Sequence, residues 1–360
     1  MQRRKFIQSA GLAGILAAGS APAIVHAQET LRWRLASSFP KSLETLHGTG
    51  EAFAKAVSDA TGGKFQITVH SPGELVPALG VMDAVTQGTV ECGHTCGYYY
   101  VGKNEALAID TAIPFGMNSR QLTAWMYQGN GMKLMREMFA DYNIVNLPLG
   151  NTGAQMGGWY RKEINQLSDM SGLKIRISGF AGLVIQRIGA LPQNIPGTEL
   201  YQSLEKGTID ATEWVGPYDD LKLGFHKVAP YYYYPGWWEG GPQVSLYIND
   251  KQWAALTPEY QAIVTAAASH AHIFMQSKYD QLNPASLKQL IAEGAQLKRF
   301  PLDVMNAARD ATHEFYAELD GKNPLWKKIH ADYAKFLAEQ YQVWPVAEGS
   351  YDQYMMAQKL

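Results

Sequence analysis

Hydrophobic and polar positions along the chain switch repeatedly between a period of two and a helical period, and this alternation predicts strand-helix units. Leu31 to Ser37 reads as a strand, and Ser42 as the cap of a helix whose apolar positions Leu43, Leu46, Phe53, Ala56, Val57 and Ala60 run until Gly62-Gly63 stops it. Phe65 to His70 is a second strand, Val81 to Thr86 a short helix ended at Gly88, and Val90 to Cys96 a third strand. Such an order predicts a parallel sheet. Ala106 to Phe115 is apolar, and Leu122, Trp125, Met126, Met132, Met135 and Phe139 place a helical stripe over 121–139 that reads as core packing.

The second half repeats the alternation. Ile144 to Leu149 and Ala154 to Arg161 read as strands, the second holding Gln155 and crossing between two lobes. In the strand that follows, Leu173, Ile175 and Ile177 share one face, with Lys174 and Arg176 on the other. Helices over 181–189 and 198–206 flank a strand at 193–195, and a short strand from Ile209 to Thr212 puts Glu213 at its C-terminal end, the edge where ligands collect in open α/β sheets. Asp219 and Asp220 read as the solvated start of the next helix. Tyr231 to Pro242, broken by Gly and Pro, reads as a second crossover, and Gln243 to Ile248 as a strand returning to the first lobe.

Thr257-Pro258-Glu259 opens a helix running to about 293, interrupted and kinked at Asn283-Pro284. At ~1.5 Å per residue it is on the order of 50 Å long, enough to bridge both lobes. A strand from Gln296 to Phe300 and helices over 302–319 and 324–341 close the pattern. The expected fold is α/β with two lobes, each a mixed sheet flanked by helices: 28–152 with about 240–270, and 153–239 with about 285–320. The bridging helix spans about 258–293, and a C-terminal helix and tail occupy 324–360, with aromatics and Met placed to meet a second subunit.

Composition changes this picture only at the N-terminus. Arg3, Arg4 and Lys5 precede a weakly apolar run diluted by Ser9, Gly11, Gly14 and Pro22, and Val25-His26-Ala27 follows. This reads as a twin-arginine export signal over 1–27, too weak to be a membrane span of ~20 residues. Its removal leaves 28 basic against 33 acidic side chains, a balance of −5 that argues against a nucleic-acid surface. The expected location is the periplasm. Cys92 and Cys96, four apart on one strand, are roughly 13 Å apart at ~3.3 Å per residue, beyond disulfide reach, and read as buried thiols.

Four residues on separate second-lobe elements stand out. Arg176 offers a planar fork that matches a carboxylate, a solvated strand face being the other reading. Glu213 repels an anionic ligand unless a cation lies between them. Gln155, Glu213 and the Trp214 carbonyl are the oxygens a hard ion such as calcium would take. Tyr98, Tyr100, Phe180, Trp237 and Trp238 are candidates for the wall around the ligand. The chain lacks a Gly-rich phosphate loop, His-Glu-x-x-His and Gly-x-Ser-x-Gly, so no enzyme signature is present.

Leu173-Lys174-Ile175-Arg176, Glu199-Leu200-Tyr201-Gln202-Ser203-Leu204 and Gly207-Thr208-Ile209-Asp210-Ala211, on an exported two-lobed chain, resemble a TRAP transporter solute-binding protein of the DctP type. Thr212-Glu213-Trp214-Val215-Gly216-Pro217 is similar to the branch that takes 2-oxo and 2-hydroxy acids. The resemblance implies that Arg176 holds the ligand carboxylate and that Gln155, Glu213 and the Trp214 carbonyl hold a sodium or calcium ion. It also implies hinge closure, delivery to a membrane permease, and a homodimer through the C-terminal helix. Trp214 stands where the commoner family pattern has Asn, which argues against a plain C4-dicarboxylate. A twin-arginine-exported enzyme and a sugar or polyol binder are the competing classes.

Overall fold

The computed structural model describes residues 30–358; the predicted export signal lies outside them. Its elements are β1 (Leu31–Ser37), α1 (Leu46–Ala60), β2 (Phe65–His70), α2 (Val81–Thr86), β3 (Cys92–Thr95), α3 (Ser119–Gln128), α4 (Gly131–Ala140), β4 (Ile144–Asn151), β5 (Gly158–Tyr160), β6 (Lys174–Arg176), α5 (Gly179–Arg187), β7 (Leu191–Gln193), α6 (Leu200–Glu205), β8 (Ala211–Thr212), α7 (Pro217–Leu223), β9 (Tyr231–Tyr234), β10 (Gln243–Asn249), α8 (Asp250–Ala254), α9 (Pro258–Ala292), β11 (Gln296–Arg299), α10 (Leu302–Lys322), α11 (Pro324–Val343) and α12 (Glu348–Met356).

Two mixed sheets result. The first has the order β2-β1-β3-β10-β4, with β1 parallel to β2 and β3, and β10 antiparallel to β3 and β4. The second has the order β11-β9-β5-β8-β6-β7. Residues 152–157 and 235–242 run between the sheets and are bonded to each other: Gln155 N donates to Glu239 O (3.0 Å), Gly236 N to Gln155 O (3.0 Å) and Thr152 N to Pro242 O (3.1 Å). Backbone outside any sheet is thereby satisfied where it is buried. Gly158 is required beneath the cleft, because its φ of +84° is left-handed and a Cβ would stand 2.4 Å from Thr212 O.

Several expectations are corrected. Gln155 lies on the first crossover, not on a strand, because pairing begins only at Gly158. Tyr231–Tyr234 is a strand, so the second crossover is confined to 235–242. The 121–139 stripe forms two helices, α3 and α4, since Gly129 and Gly131 turn the chain tightly over Trp125. Ser42 does not cap α1, which begins after Thr45. The bridging helix α9 continues through Pro284 without interruption. Pro284 offers no N–H to the Asp280 carbonyl one turn earlier, and both residues are exposed. It packs on α1 and β4 at one end and on α7 at the other. Cys92 and Cys96 are buried free thiols, as expected.

Asp219 and Asp220, expected in water, are buried. Tyr279 of α9 donates to Asp219 Oδ2 (2.6 Å), and Trp159 Nε1 (3.0 Å) and Tyr232 (2.7 Å) donate to Asp220 Oδ2. Burial, outweighing these bonds, pushes Asp220 up to about 7 and Asp219 to about 6. Asp110 in the first lobe is pushed by burial to about 6, against bonds from Tyr247 and Asn146. Raised folded-state values mean that the native chain binds protons the unfolded chain does not between about pH 4 and 7. Stability from these groups is therefore full below the unfolded value and is lost as pH rises through 6 to 7. The thermal midpoint should be higher at pH 5 than at pH 8. In Asp220→Asn the slope should flatten by about 1.4 kcal/mol per pH unit at most. Scanning calorimetry across that range checks it; equal slopes for both proteins would refute the assignment to Asp220.

Candidate functional site

The cleft is built at the C-terminal edges of β6 and β8, where both strands end within one residue of a charge. Arg176, the last residue of β6, is buried. Its Nε donates to Ile195 O (3.1 Å) and its Nη1 to Glu213 O (3.1 Å) and Glu213 Oε1. Glu213 follows β8 directly, and its N donates to Arg176 O (3.2 Å), so main chain and side chains lock the two together. The guanidinium carbon lies 5.1 Å from the centre of the Trp214 ring, within cation–π range.

A second carboxylate completes this group. Glu239, on the crossover, is 3% exposed and its Oε2 has no hydrogen-bond partner. Burial pushes its pKa well above the ordinary range, the neighbouring Glu213 adds to the rise, and Arg176 and the Tyr98 hydroxyl draw it back. Burial also raises Glu213, against the pull of Arg176. Two acids thus face one guanidinium. Gln155, hydrogen-bonded to Glu239 through the main chain, donates its Nε2 to Thr152 Oγ1 (3.3 Å) and leaves Oε1 buried without a donor.

Gln155, Arg176, Trp214 and Tyr98 line one cavity of about 20 Å³, roughly one water in size, with Phe39, Leu46, Val215 and Val244 as apolar wall. Glu213 touches Arg176 beside it. Four expected wall residues do not line this small cavity. Phe180 stacks on Trp326 (4.9 Å) in the core beneath α11. The Tyr100 hydroxyl accepts from Met82 N (3.2 Å) and shares a hydrogen bond with Thr95 Oγ1 (2.9 Å). Trp237 stacks on Phe115 (5.2 Å), and Trp238 packs on Trp237 and Phe300. Tyr99, which lines the cavity, and Glu239 are outside the expected set. The only sequence signal for Glu239 is an acid between Trp238 and Gly240 in a stretch otherwise without charge.

The donor set suits a hard cation. No group of three His, Cys, Asp or Glu occurs among the described residues. The buried unpartnered oxygens of Gln155 and Glu239, on crossovers joined by a main-chain bond, are the kind that such an ion satisfies.

Residues 36–322 match the model of the DctP family, described as bacterial extracellular solute-binding protein, family 7. The chain belongs to this family. A monocarboxylate 2-oxoacid-binding periplasmic protein of Nostoc is 43% identical over 360 residues, 98% of this chain and 99% of that protein. A TRAP solute-binding protein from Bordetella bronchiseptica, a dimer with copurified calcium and picolinate in one site, is 48% identical and superposes with a TM-score of 0.90 over 91% of this chain and 98% of its own. One from Pseudoalteromonas atlantica, with sodium and pyruvate, is 39% identical, with a TM-score of 0.88 over 92% and 100%. As a DctP member the chain is a TRAP solute-binding protein of mixed α/β fold.

Burial disfavours the ionised form of Glu239, so Glu239→Gln, which keeps its shape, should raise the cation-free stability by roughly 1 kcal/mol, read as a higher thermal midpoint. The same variant should lose stabilisation by calcium. Thermal shift with and without calcium reads both changes, and an unaltered response to calcium would remove Glu239 from the site.

Proposed function

We propose that this protein is the periplasmic component of a TRAP transporter that captures a small 2-oxo or 2-hydroxy monocarboxylate together with a sodium or calcium ion. The observation that carries the reading is the buried group of Arg176, Glu213 and Glu239, in which one guanidinium faces two carboxylates beside unpartnered oxygens. A ligand carboxylate adds a third negative charge. Arg176 and a divalent cation balance these three; with sodium, one acid keeps its proton.

On this reading Arg176 exchanges Glu213 for the ligand carboxylate, forming the two-pronged contact a guanidinium makes best. Glu213, Gln155 Oε1, the Trp214 carbonyl and Glu239 would hold the cation, whose charge lets the acids and the ligand share one closed cavity. The 2-oxo or 2-hydroxy oxygen is a further ligand that a plain fatty acid lacks. Phe39, Leu46, Val215 and Val244 exclude water and limit the tail to a small apolar group. The lobes, 28–152 with about 240–270 and 153–239 with about 285–320, close about the paired crossovers. A leader over 1–27 carries the chain to the periplasm, and the closed form hands its ligand to the membrane permease.

Calorimetry with pyruvate in calcium or sodium buffer tests the assignment. Arg176→Ala should reduce affinity at least a thousandfold, as expected for leaving a buried carboxylate without its partner at a cost of roughly 4 kcal/mol. Wild-type affinity in that variant would sink the reading. Glu213→Gln should abolish the dependence on added cation, measured after chelator treatment in sodium-free buffer.

We also propose a homodimer through the C-terminal segment. Val346, Tyr351, Tyr354 and Met356 on and before α12 are exposed, an apolar face that a second copy would cover. Light scattering should give twice the chain mass, falling to one on truncation after Val343; a monomeric full-length protein refutes it.

A further inference from the structure

The cavity beside Arg176 takes a wall from each sheet. Tyr98 and Tyr99 follow β3 of the first sheet, while Arg176 ends β6 and Trp214 follows β8 in the second. The two walls meet at a glycine. Gly179, three residues after Arg176, begins α5, and a Cβ placed on it would stand 2.6 Å from Tyr98 Cβ and 2.9 Å from Tyr98 Cγ. Carbon atoms in contact sit at ~3.5 to 4.0 Å, so this space admits hydrogen and no side chain. The atoms met are the root of the tyrosine side chain. No rotamer change carries them away, because Cβ moves only with the main chain.

Each backbone is held by its own surroundings. Gly97 N, just before Tyr98, donates to Thr111 Oγ1 (2.7 Å), and a Cβ at Gly97 would lie 2.3 Å from Leu107 O. On the other side Phe180, next to Gly179, stacks on Trp326 (4.9 Å), and Val184 and Ile185 further along α5 are fully buried. A side chain at 179 is therefore accommodated between the two segments, and the spacing of the cavity walls changes with it. In a cavity of about 20 Å³ a small change of spacing alters which ligand fits.

We propose that Gly179 is a positioning residue that sets ligand size: its bare Cα seats Tyr98 on the start of α5, and this seat fixes the distance between the two walls and so the longest tail a 2-oxo acid can carry. The proposal rests on the reading of the cleft as a 2-oxo acid site and adds the contact that limits the tail. Gly179 also has a left-handed φ of +63°, where any other residue strains the backbone. Gly172 separates the two effects: its φ is +72°, but a Cβ there would meet nothing within 4 Å.

Calorimetry with pyruvate and with 2-oxobutanoate, one methylene longer, tests the proposal in calcium buffer. Gly179→Ala should weaken pyruvate binding about tenfold to a hundredfold, the effect of one methyl group forced into packed surroundings. The longer acid should lose less, so that the ratio of the two affinities moves toward it by about fourfold, as expected for one buried methylene. Gly172→Ala should lower the thermal midpoint to a similar degree and leave both affinities unchanged. In a Tyr98→Gly background, which lacks the atoms that the new Cβ meets, Gly179→Ala should no longer move the ratio. If Gly179→Ala does not fold, Gly179→Asn, which tolerates a left-handed φ, takes its place with the same expected shift. Equal losses for both acids, a ratio that moves as far in Gly172→Ala, or a shift that persists without Tyr98 overturns this inference alone. A wild type that binds neither acid overturns the functional reading and this inference with it.

Discussion

Everything in this cleft follows from one unbalanced ion pair. Arg176 and Glu213 are held together by one side-chain to main-chain bond, one main-chain bond and one charge contact, all out of water. Glu239 is added without a second cation: Arg176 and the Tyr98 hydroxyl compensate it only in part, and its Oε2 is left without a partner. A buried pair of this sort contributes little net stability, and the third charge makes the arrangement unfavourable on its own. The cost is relieved by a positive ion and an acid arriving together. Differential affinity for a loaded, closed state is what a capture protein needs, and on the proposed reading it comes from two buried acids whose ionised forms burial disfavours.

The fold keeps this charge in place by using backbone rather than further side chains. β6 and β8 are parallel neighbours, so their C-terminal ends deliver Arg176 and Glu213 to the same edge. The two crossovers bring Gln155 and Glu239 opposite each other through a single main-chain bond of 3.0 Å. Because the crossovers are also the connections between the sheets, Gln155 and Glu239 sit on the segments that join the two halves of the fold.

Local patterning made the elements legible: periods of two and 3.6 gave both sheets, the bridging helix and the strand ends bearing Arg176 and Glu213. Residues whose role is set by distant partners were not legible. Asp219 and Asp220 have the spacing of a solvated helix start, and only Tyr279, Trp159 and Tyr232, from three other elements, bury them. Trp237 and Trp238 carry the composition of a binding wall, yet Phe115 and Phe300 claim their faces. Phe180 is taken in the same way by Trp326. Glu239 escaped because a crossover has no period to read.

The outer face of α7 shows why closure is left to the cleft. Tyr218 donates to Glu44 Oε2 (3.0 Å), Lys222 pairs with Glu44 Oε1 (2.9 Å) and Lys278 donates to Glu44 O (3.0 Å), so one first-lobe acid meets both the second lobe and the bridging helix. These contacts are exposed and screened, and exposed pairs contribute little. They orient the lobes without holding them. On the proposed reading, a strong latch at this point would keep an empty protein shut, whereas a weak one leaves the balance between open and closed lobes to the charges around Arg176.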